Sequence, residues 1–238
     1  MFSQHHIYHH SNQRLQGHLA YDNKTQHQRP AVLVIHDWSG LNEFARTKAE
    51  IFAQKGYVGF AVDMYGEGRV GETTEEKQAL MKPFVEDRTL LRSRALAALD
   101  EVKKLPWVDP HRIAVIGFCF GGLCALDLAR SGADIKAVVS LHGLLNKPDS
   151  LPDAKILAKI LILHGYDDPM VRPRDVDLFC EEMNKAHVDW QINMYSQTQH
   201  AFTNPAAQDQ TLGTIYNPRS EQRAMDAMHY FLAESFKP

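Results

Sequence analysis

One cysteine lies in a sequence context that could make it a nucleophile. Cys119 is the centre of the segment G-F-C-F-G at 117–121, which follows the apolar run Arg112–Ile116 and precedes a helical pattern. In the related G-x-S-x-G turn, the nucleophile sits on a sharp strand-to-helix bend above the sheet. Free N–H groups at a helix N-terminus also favour a thiolate. The pattern predicts nucleophilic chemistry at Cys119, with a buried packing cysteine as the alternative.

A nucleophile on such a turn works with an acid and a histidine that follow it in the chain. Asp168 comes after the apolar run Ile160–Leu163, and His200 lies in a polar loop after Trp190–Tyr195. A general base must reach the nucleophile and be oriented by a third group. We therefore predict a Cys119–His200–Asp168 triad, with Asp167 as the alternative acid.

An acyl-transfer site also needs donors for the developing oxyanion. The N–H of Phe120, directly after the nucleophile, is one predicted donor. The second is the N–H of Trp38, in the loop that follows the apolar run Ala31–Ile35. We expect the neighbouring His36 to have a structural role.

The remaining cysteines and histidines give weaker signals. Cys124 and Cys180 lie in helical patterns, where we expect them to pack as small apolar residues. Four histidines alternate along a predicted edge strand, and we expect them to be exposed: His5, His6, His9 and His10. No carboxylate or cysteine spacing supports the alternative of a metal site there, so we predict no metal and no organic cofactor.

Several strands and helices must position these groups. Continuous apolar runs typical of strands buried on both faces alternate with helical patterns at Asn42–Lys55, Thr74–Lys104, Phe120–Arg130, Pro173–Ala186 and Arg219–Phe236. This alternation predicts an α/β protein with a mostly parallel sheet of about eight strands and helices on both faces. Pro83 is expected to break the long second helix. The segment 64–91 is expected to cover the mouth of the pocket.

Composition narrows the class of protein. The chain has 238 residues, ordinary hydrophobic and charged fractions of 44% and 23%, and a net charge of −3. Because basic residues do not outnumber acidic ones, we do not expect the protein to bind nucleic acid. No apolar run has the length of a membrane span, the beginning does not read as a signal peptide, and three cysteines give no disulfide framework. We expect one domain over 1–238, in the cytoplasm, as a monomer or small homo-oligomer.

Five motifs together resemble the dienelactone hydrolase family, also called carboxymethylenebutenolidases. They are HDWSGLNEF at 36–44, AVDMYGEG at 61–68, VDPHRIAVIGFCFGG at 108–122, HGYDDPMV at 164–171 and QTQHAF at 197–202. The resemblance covers nearly the whole chain. It implies an α/β-hydrolase fold and a Cys-His-Asp triad at Cys119, His200 and Asp168.

The resemblance also implies roles for two further positions. A carboxylate, usually glutamate, lies before the oxyanion donor in the family and engages the resting nucleophile; Asp37 occupies that place and is one methylene shorter. The family's dienelactone enzyme has a substrate-binding arginine four residues after the histidine, where this chain has Asn204. A second such arginine could correspond to Arg69, Arg88, Arg92 or Arg94.

These observations predict a hydrolase of small-molecule esters or lactones that forms an acyl-enzyme. A thioesterase or acyltransferase with the same triad is one alternative, because only the acceptor differs. A non-catalytic thiol-reactive binding or redox protein is the other.

Overall fold

The computed structural model describes residues 1–25, 27–148 and 154–237. The strands within them are β1 (Phe2–His10), β2 (Gln13–Tyr21), β3 (Arg29–Ile35), β4 (Val58–Val62), β5 (Val108–Phe118), β6 (Ala137–Leu141), β7 (Lys159–Gly165), β8 (Trp190–Tyr195), β9 (Gln208–Asp209) and β10 (Thr214–Ile215). The helices are α1 (Glu43–Gln54), α2 (Thr74–Glu86), α3 (Arg88–Lys103), α4 (Phe120–Arg130), α5 (Pro173–Lys185) and α6 (Pro218–Ser235).

One eight-stranded sheet has the order β1-β2-β4-β3-β5-β6-β7-β8. β1 pairs with β2 and β2 pairs with β4 in antiparallel fashion. All other neighbouring strands of this sheet, from β4 through β3 and β5 to β8, are parallel. The predicted mostly parallel sheet of about eight strands is therefore confirmed. The ends of β3, β5, β7 and β8 lead into the loops that carry the predicted site residues.

Helices cover both faces of the sheet, which explains the continuous apolar runs. In β3, Val32 and Val34 pack with α1 and α6, whereas Leu33 and Ile35 pack with the cluster that includes α3 and α4. Successive strand residues point to opposite faces, so a strand between two helical layers must be apolar at every position.

The long second helix is interrupted, but the predicted breakpoint is wrong. Pro83 lies inside α2, and the break comes at Asp87, between α2 and α3. The Asp87 carboxylate accepts the N–H groups of Thr89 and Leu90 at 3.0 and 2.9 Å and so caps the new helix. Pro83 removes only one donor, whereas Asp87 supplies an acceptor that starts a second helix.

The histidines of β1 are not all exposed. His5 and His9 are exposed, but His6 and His10 are half-buried. His6 Nε2 lies 2.9 Å from Glu101 Oε1, and His10 Nδ1 accepts a hydrogen bond from Arg94. The expectation fails for these two because α3 lies against one face of the edge strand. No cluster of His, Cys, Asp or Glu suited to a metal ion occurs in the described ranges.

Arg88 joins α3 to α4 through a buried ion pair. Its guanidinium donates to both Asp127 oxygens, at 2.6 and 2.8 Å, and Arg130 also contacts Asp127. Arg88 and Asp127 are 6% and 0% exposed. The Arg88 side chain therefore belongs to the buried core.

Among the described helices, none is long and apolar enough to cross a membrane. The prediction of one domain over 1–238 stays a prediction.

We expect Arg88→Met to lower the free energy of unfolding by about 2–4 kcal/mol. Breaking a buried pair typically costs about 3–5 kcal/mol, and Arg130 still faces Asp127. Urea denaturation gives the comparison. The control is Arg46→Met, whose partner Glu43 is exposed, with an expected change below about 0.5 kcal/mol. Equal effects of the two substitutions would contradict the assignment of Arg88 to the core.

Candidate active site

Cys119 lies on a strained turn between β5 and α4. Its φ is 53°, in the left-handed region, and its ψ is −114°. Such backbone in a residue other than glycine costs on the order of 1–3 kcal/mol and is concentrated at functional sites. The Cys119 N–H donates to Leu141 O at 3.0 Å, and its carbonyl accepts the Gly122 N–H at 2.9 Å. The turn is thus fixed by β6 on one side and by α4 on the other.

The glycines of G-F-C-F-G are needed because backbone packs directly on backbone there. A Cβ on Gly117 would collide with the carbonyl oxygen of Gly121. A Cβ on Gly121 would collide with the carbonyl oxygens of Ile35 and His36, at the end of β3. The first turn of α4 can therefore approach β3 closely, as the pattern of small residues predicts.

His200 and Asp168 meet at the other side of the site. His200 Nδ1 lies 2.7 Å from Asp168 Oδ2, and both side chains are buried. The second Asp168 oxygen accepts the Met170 N–H at 2.8 Å. Asp167 is exposed. The structure therefore pairs His200 with Asp168 and not with the alternative acid.

A short hairpin holds the backbone of His200. The His200 N–H donates to Gly213 O, and its carbonyl accepts the Ile215 N–H, both at 3.0 Å. Gly213 has φ 66° and packs so tightly on Pro169 that a side chain would collide with it. The β9–β10 hairpin, which sequence patterns did not reveal, therefore joins the His200 loop to the Asp168 loop.

The charge on His200 is set by its neighbours. Burial alone would lower the pKa of His200, but the electrostatic influence of Cys119 and the hydrogen-bonded Asp168 outweigh it and raise the pKa to about 10. The imidazole therefore holds its proton at neutral pH. This arrangement places a proton donor beside Cys119.

Most of the predicted site residues line one cavity of about 600 Å³, and Asp168 is buried behind it against His200. The wall of the cavity includes Cys119, His200, Asp37, Trp38 and Phe120. Parts of 70–81 and 204–214 also lie on the wall, so a portion of the segment 64–91 borders the pocket, while its role as a cover of the mouth stays a prediction. The structure thus brings Cys119, His200 and both oxyanion candidates to the same cavity, with Asp168 behind His200.

The two oxyanion candidates come from different elements. Phe120 is the first residue of α4, where backbone N–H groups have no acceptor within the helix. Trp38 lies in the loop after β3, and its carbonyl accepts the Tyr65 hydroxyl at 2.9 Å. In the same loop, Asp37 Oδ1 accepts the Ser39 N–H at 2.8 Å. Asp37 is 8% exposed, and its carboxylate is partly used to hold the loop.

Asn204 lies half-buried on the cavity wall. Its Oδ1 accepts the Ala206 N–H at 3.0 Å, which leaves its amide hydrogens for other partners. None of the four candidate arginines lines this cavity within the described residues. Among the described lysines and arginines, Lys77 is the one that lines the cavity. Its Nζ lies 5.7 Å from the centroid of the Trp38 ring.

Sequence reasoning missed a second buried histidine. His142 follows β6 with φ 41° and packs edge-to-face on His200, with ring centroids 5.2 Å apart. Its Nε2 lies 2.8 Å from Thr203 Oγ1. Burial, reinforced by charged His200, lowers the pKa of His142 well below its usual range, so this ring is neutral. The only sequence signal for His142 is its place directly after an apolar run.

His36 forms hydrogen bonds with backbone atoms of Asp37 and Met64, in agreement with the structural role expected for it.

Comparison with known proteins gives one consistent result. Residues 15–236 match the model of the dienelactone hydrolase family. The chain is 30% identical over 183 residues to a Bradyrhizobium protein named as a probable 2-oxo-3-(5-oxofuran-2-ylidene)propanoate lactonase, with 73% of each chain covered. It is 28% identical over 208 residues to an Aquifex aeolicus protein assigned by name as a carboxymethylenebutenolidase, covering 85% of this chain and 87% of that one.

A solved structure agrees over the same length. A dienelactone hydrolase-like promiscuous phosphotriesterase from metagenomic libraries has a TM-score of 0.94 and 33% identity, with 99% of both chains covered. The resemblance stated from the motifs is confirmed, and so is the predicted α/β-hydrolase fold.

The raised pKa of His200 predicts a pH-dependent stability. The protonated imidazole favours the folded state, because the folded pKa exceeds the ordinary value of 6.5. Its contribution is complete below pH about 6.5 and is lost as the pH rises through about 10. We expect the free energy of unfolding to fall more steeply between these pH values in wild type than in His200→Gln. Urea denaturation at fixed pH measures both slopes, and equal slopes would contradict the prediction.

Proposed function

The chain belongs to the dienelactone hydrolase family, and from that premise we propose that Cys119, His200 and Asp168 hydrolyse carboxylic esters or lactones as a triad. The family and its named relatives make the chain a hydrolase of esters and lactones. The observation that carries the proposed mechanism is that His200, hydrogen-bonded to the buried Asp168, lines the same cavity as the strained Cys119 turn.

The first half of the reaction forms an acyl-enzyme. The Cys119 thiolate attacks the carbonyl carbon, and the carbonyl π electrons move to oxygen. The N–H groups of Trp38 and Phe120 stabilise the oxyanion. The carbonyl re-forms, the carbon–oxygen bond to the leaving group breaks, and His200 gives its proton to the departing alkoxide. Asp168 keeps the imidazole oriented throughout.

The second half releases the acid. His200, now neutral, takes a proton from water as the water oxygen attacks the thioester carbon. The second tetrahedral intermediate collapses, and the Cys119 thiolate leaves beside the imidazolium. Every proton is thus carried by His200, and the scheme requires no metal or cofactor.

Asp37 is proposed to restrain the resting nucleophile. Its side chain is buried and lines the same cavity as Cys119. A carboxylate there disfavours a free thiolate by like-charge repulsion. Its bond to the Ser39 N–H fixes one oxygen, so the other oxygen is the one available for this role.

The alternatives differ in what reacts with Cys119. A thioesterase or acyltransferase would use the same residues with a different leaving group or acceptor. A redox-sensing protein would react at Cys119 without acyl turnover. A cytoplasmic location agrees with the three free cysteines, and we keep the proposal of a monomer or small homo-oligomer.

We expect Cys119→Ala or His200→Ala to remove ester hydrolysis nearly completely. The double variant should be little worse than either single one, because such residues act as a unit. The assay is p-nitrophenyl acetate hydrolysis, with and without prior iodoacetamide. Wild-type turnover in Cys119→Ala would sink the nucleophile assignment. Full alkylation of Cys119 without loss of turnover would do the same.

The second prediction concerns the substrate. Asn204 replaces the arginine expected from the resemblance, and none of Arg69, Arg88, Arg92 and Arg94 lines the described cavity wall. A charge-assisted hydrogen bond is worth about 1.5–3 kcal/mol, which is on the order of 10–150-fold in specificity. We therefore expect a preference for neutral lactones and aryl esters over the anionic dienelactone.

The measurement is kcat/KM for cis-dienelactone, a neutral lactone and an aryl acetate. Asn204→Arg should raise the value for dienelactone selectively. Lys77→Met is the companion variant, because Lys77 is the cationic side chain on the wall. A wild-type preference for dienelactone by several orders of magnitude, unchanged in Asn204→Arg, would contradict the expectation.

A further inference from the structure

Tyr65 lies between the two elements that carry the proposed oxyanion donors. It follows β4 in the loop at 63–69, and its side chain is 1% exposed. Its ring stacks on Phe120 with centroids 5.8 Å apart and an interplanar angle of 27°. The ring also contacts His36 and Phe84. Its face is therefore held against the first residue of α4.

The Tyr65 hydroxyl reaches the other element. It donates to Trp38 O at 2.9 Å. A carbonyl oxygen can only accept, so the direction of this bond is fixed. Burial raises the pKa of Tyr65 well above its ordinary value, so the phenol keeps its proton.

The backbone of Tyr65 is itself held at both sides. Its N–H donates to Asp63 Oδ1 at 3.1 Å, and its carbonyl accepts from the Arg69 guanidinium. Asp63 also accepts the N–H of Gly66. The loop that carries Tyr65 is thus held by several hydrogen bonds, so the position of the hydroxyl relative to Trp38 is fixed.

The peptide between Trp38 and Ser39 is hydrogen-bonded at both its carbonyl and its N–H. Its carbonyl accepts from Tyr65, and its N–H donates to Asp37 Oδ1 at 2.8 Å. A peptide group is planar, so its C=O and N–H rotate together. The Trp38 N–H belongs to the preceding peptide, which is joined to this one at the Trp38 Cα. A rotation of the Trp38–Ser39 peptide would therefore act on the Asp37 carboxylate through the Ser39 N–H and on the Trp38 N–H through the Trp38 Cα.

We propose that Tyr65 is a positioning residue whose hydroxyl orients the Trp38–Ser39 peptide, and thereby sets both the oxyanion donor of Trp38 and the carboxylate of Asp37. This inference rests on the proposed function, since it gives the Trp38 N–H and Asp37 their roles. Tyr65 touches no reacting atom; it acts through the loop.

A second buried tyrosine supplies a matched control. Tyr8 is 2% exposed; its hydroxyl donates to the main-chain carbonyl of Asp63 at 3.3 Å and accepts the N–H of Asp63 at 3.2 Å. Tyr8 does not line the cavity around Cys119. Tyr65→Phe and Tyr8→Phe each remove one buried hydroxyl that is bonded to main-chain atoms, and Tyr8 loses the larger number of bonds, so a purely structural effect should be at least as large in Tyr8→Phe.

The experiment compares both variants with wild type in melting temperature, kcat and KM for p-nitrophenyl acetate. Loss of a direct oxyanion donor costs on the order of 10²–10³ in kcat, and loss of a residue that positions the donor should cost less. We expect Tyr65→Phe to lower kcat about 5- to 50-fold with KM changed less than about threefold. Tyr8→Phe should keep kcat within about twofold at an equal or larger change in melting temperature.

A second readout does not depend on turnover. The rate of iodoacetamide labelling of Cys119 is followed by mass spectrometry of its peptide at neutral pH. Asp37→Asn should speed labelling, because it removes the carboxylate proposed to restrain the thiol. If the Tyr65 hydroxyl holds Asp37 in place, Tyr65→Phe should also speed labelling, toward the rate of Asp37→Asn. The double variant should then label no faster than Asp37→Asn alone.

The proposed function and this inference fail separately. A wild-type protein that hydrolyses no ester would refute the proposed function, and the labelling rates would then decide the role of Tyr65 alone. An unchanged labelling rate together with kcat within about twofold of wild type in Tyr65→Phe would overturn the inference. An equal fall of kcat in Tyr8→Phe would also overturn it.

Discussion

The first turn of α4 packs on bare backbone at the end of β3, and the geometry of the site depends on this close approach. Gly121 leaves no side-chain atoms between α4 and β3, and Gly117 leaves none between β5 and α4. Cys119 takes the left-handed conformation that the bend requires, at a cost that the surrounding contacts must offset. Because β3 also leads into the Trp38 loop, one contact sets the nucleophile and both proposed oxyanion donors relative to each other.

The other half of the site depends on electrostatics in a buried place. A lone imidazolium would lose its proton on burial, yet the pKa of His200 is raised because Asp168 is hydrogen-bonded to the ring and Cys119 lies beside it. His142 packs on the same ring and stays neutral, since a second buried cation there would be unfavourable. The proposed chemistry therefore rests on alternating charges rather than on exposure to solvent.

The sequence predicted the parts of the site that follow from local rules. The bend at Cys119 needs small residues at fixed spacing, and parallel strands must bring Asp168 and His200 to the same edge. Tyr65 could not be predicted in this way, because its partner Trp38 is reached only through the path of a loop. The break at Asp87 was likewise missed, since a capping side chain competed with the more conspicuous proline.

The strand order has a consequence for how the chain acquires its site. β1 and β2 are sequential and can pair early, whereas β3 and β5 have α1, β4, α2 and α3 between them in the chain. Non-local pairing is slow, because loop-closure entropy is lost before the contacts form. The gap between β3 and β5 closes only at that late step. During refolding, we therefore expect the recovery of ester hydrolysis to report completion of the central sheet and not the growth of helices.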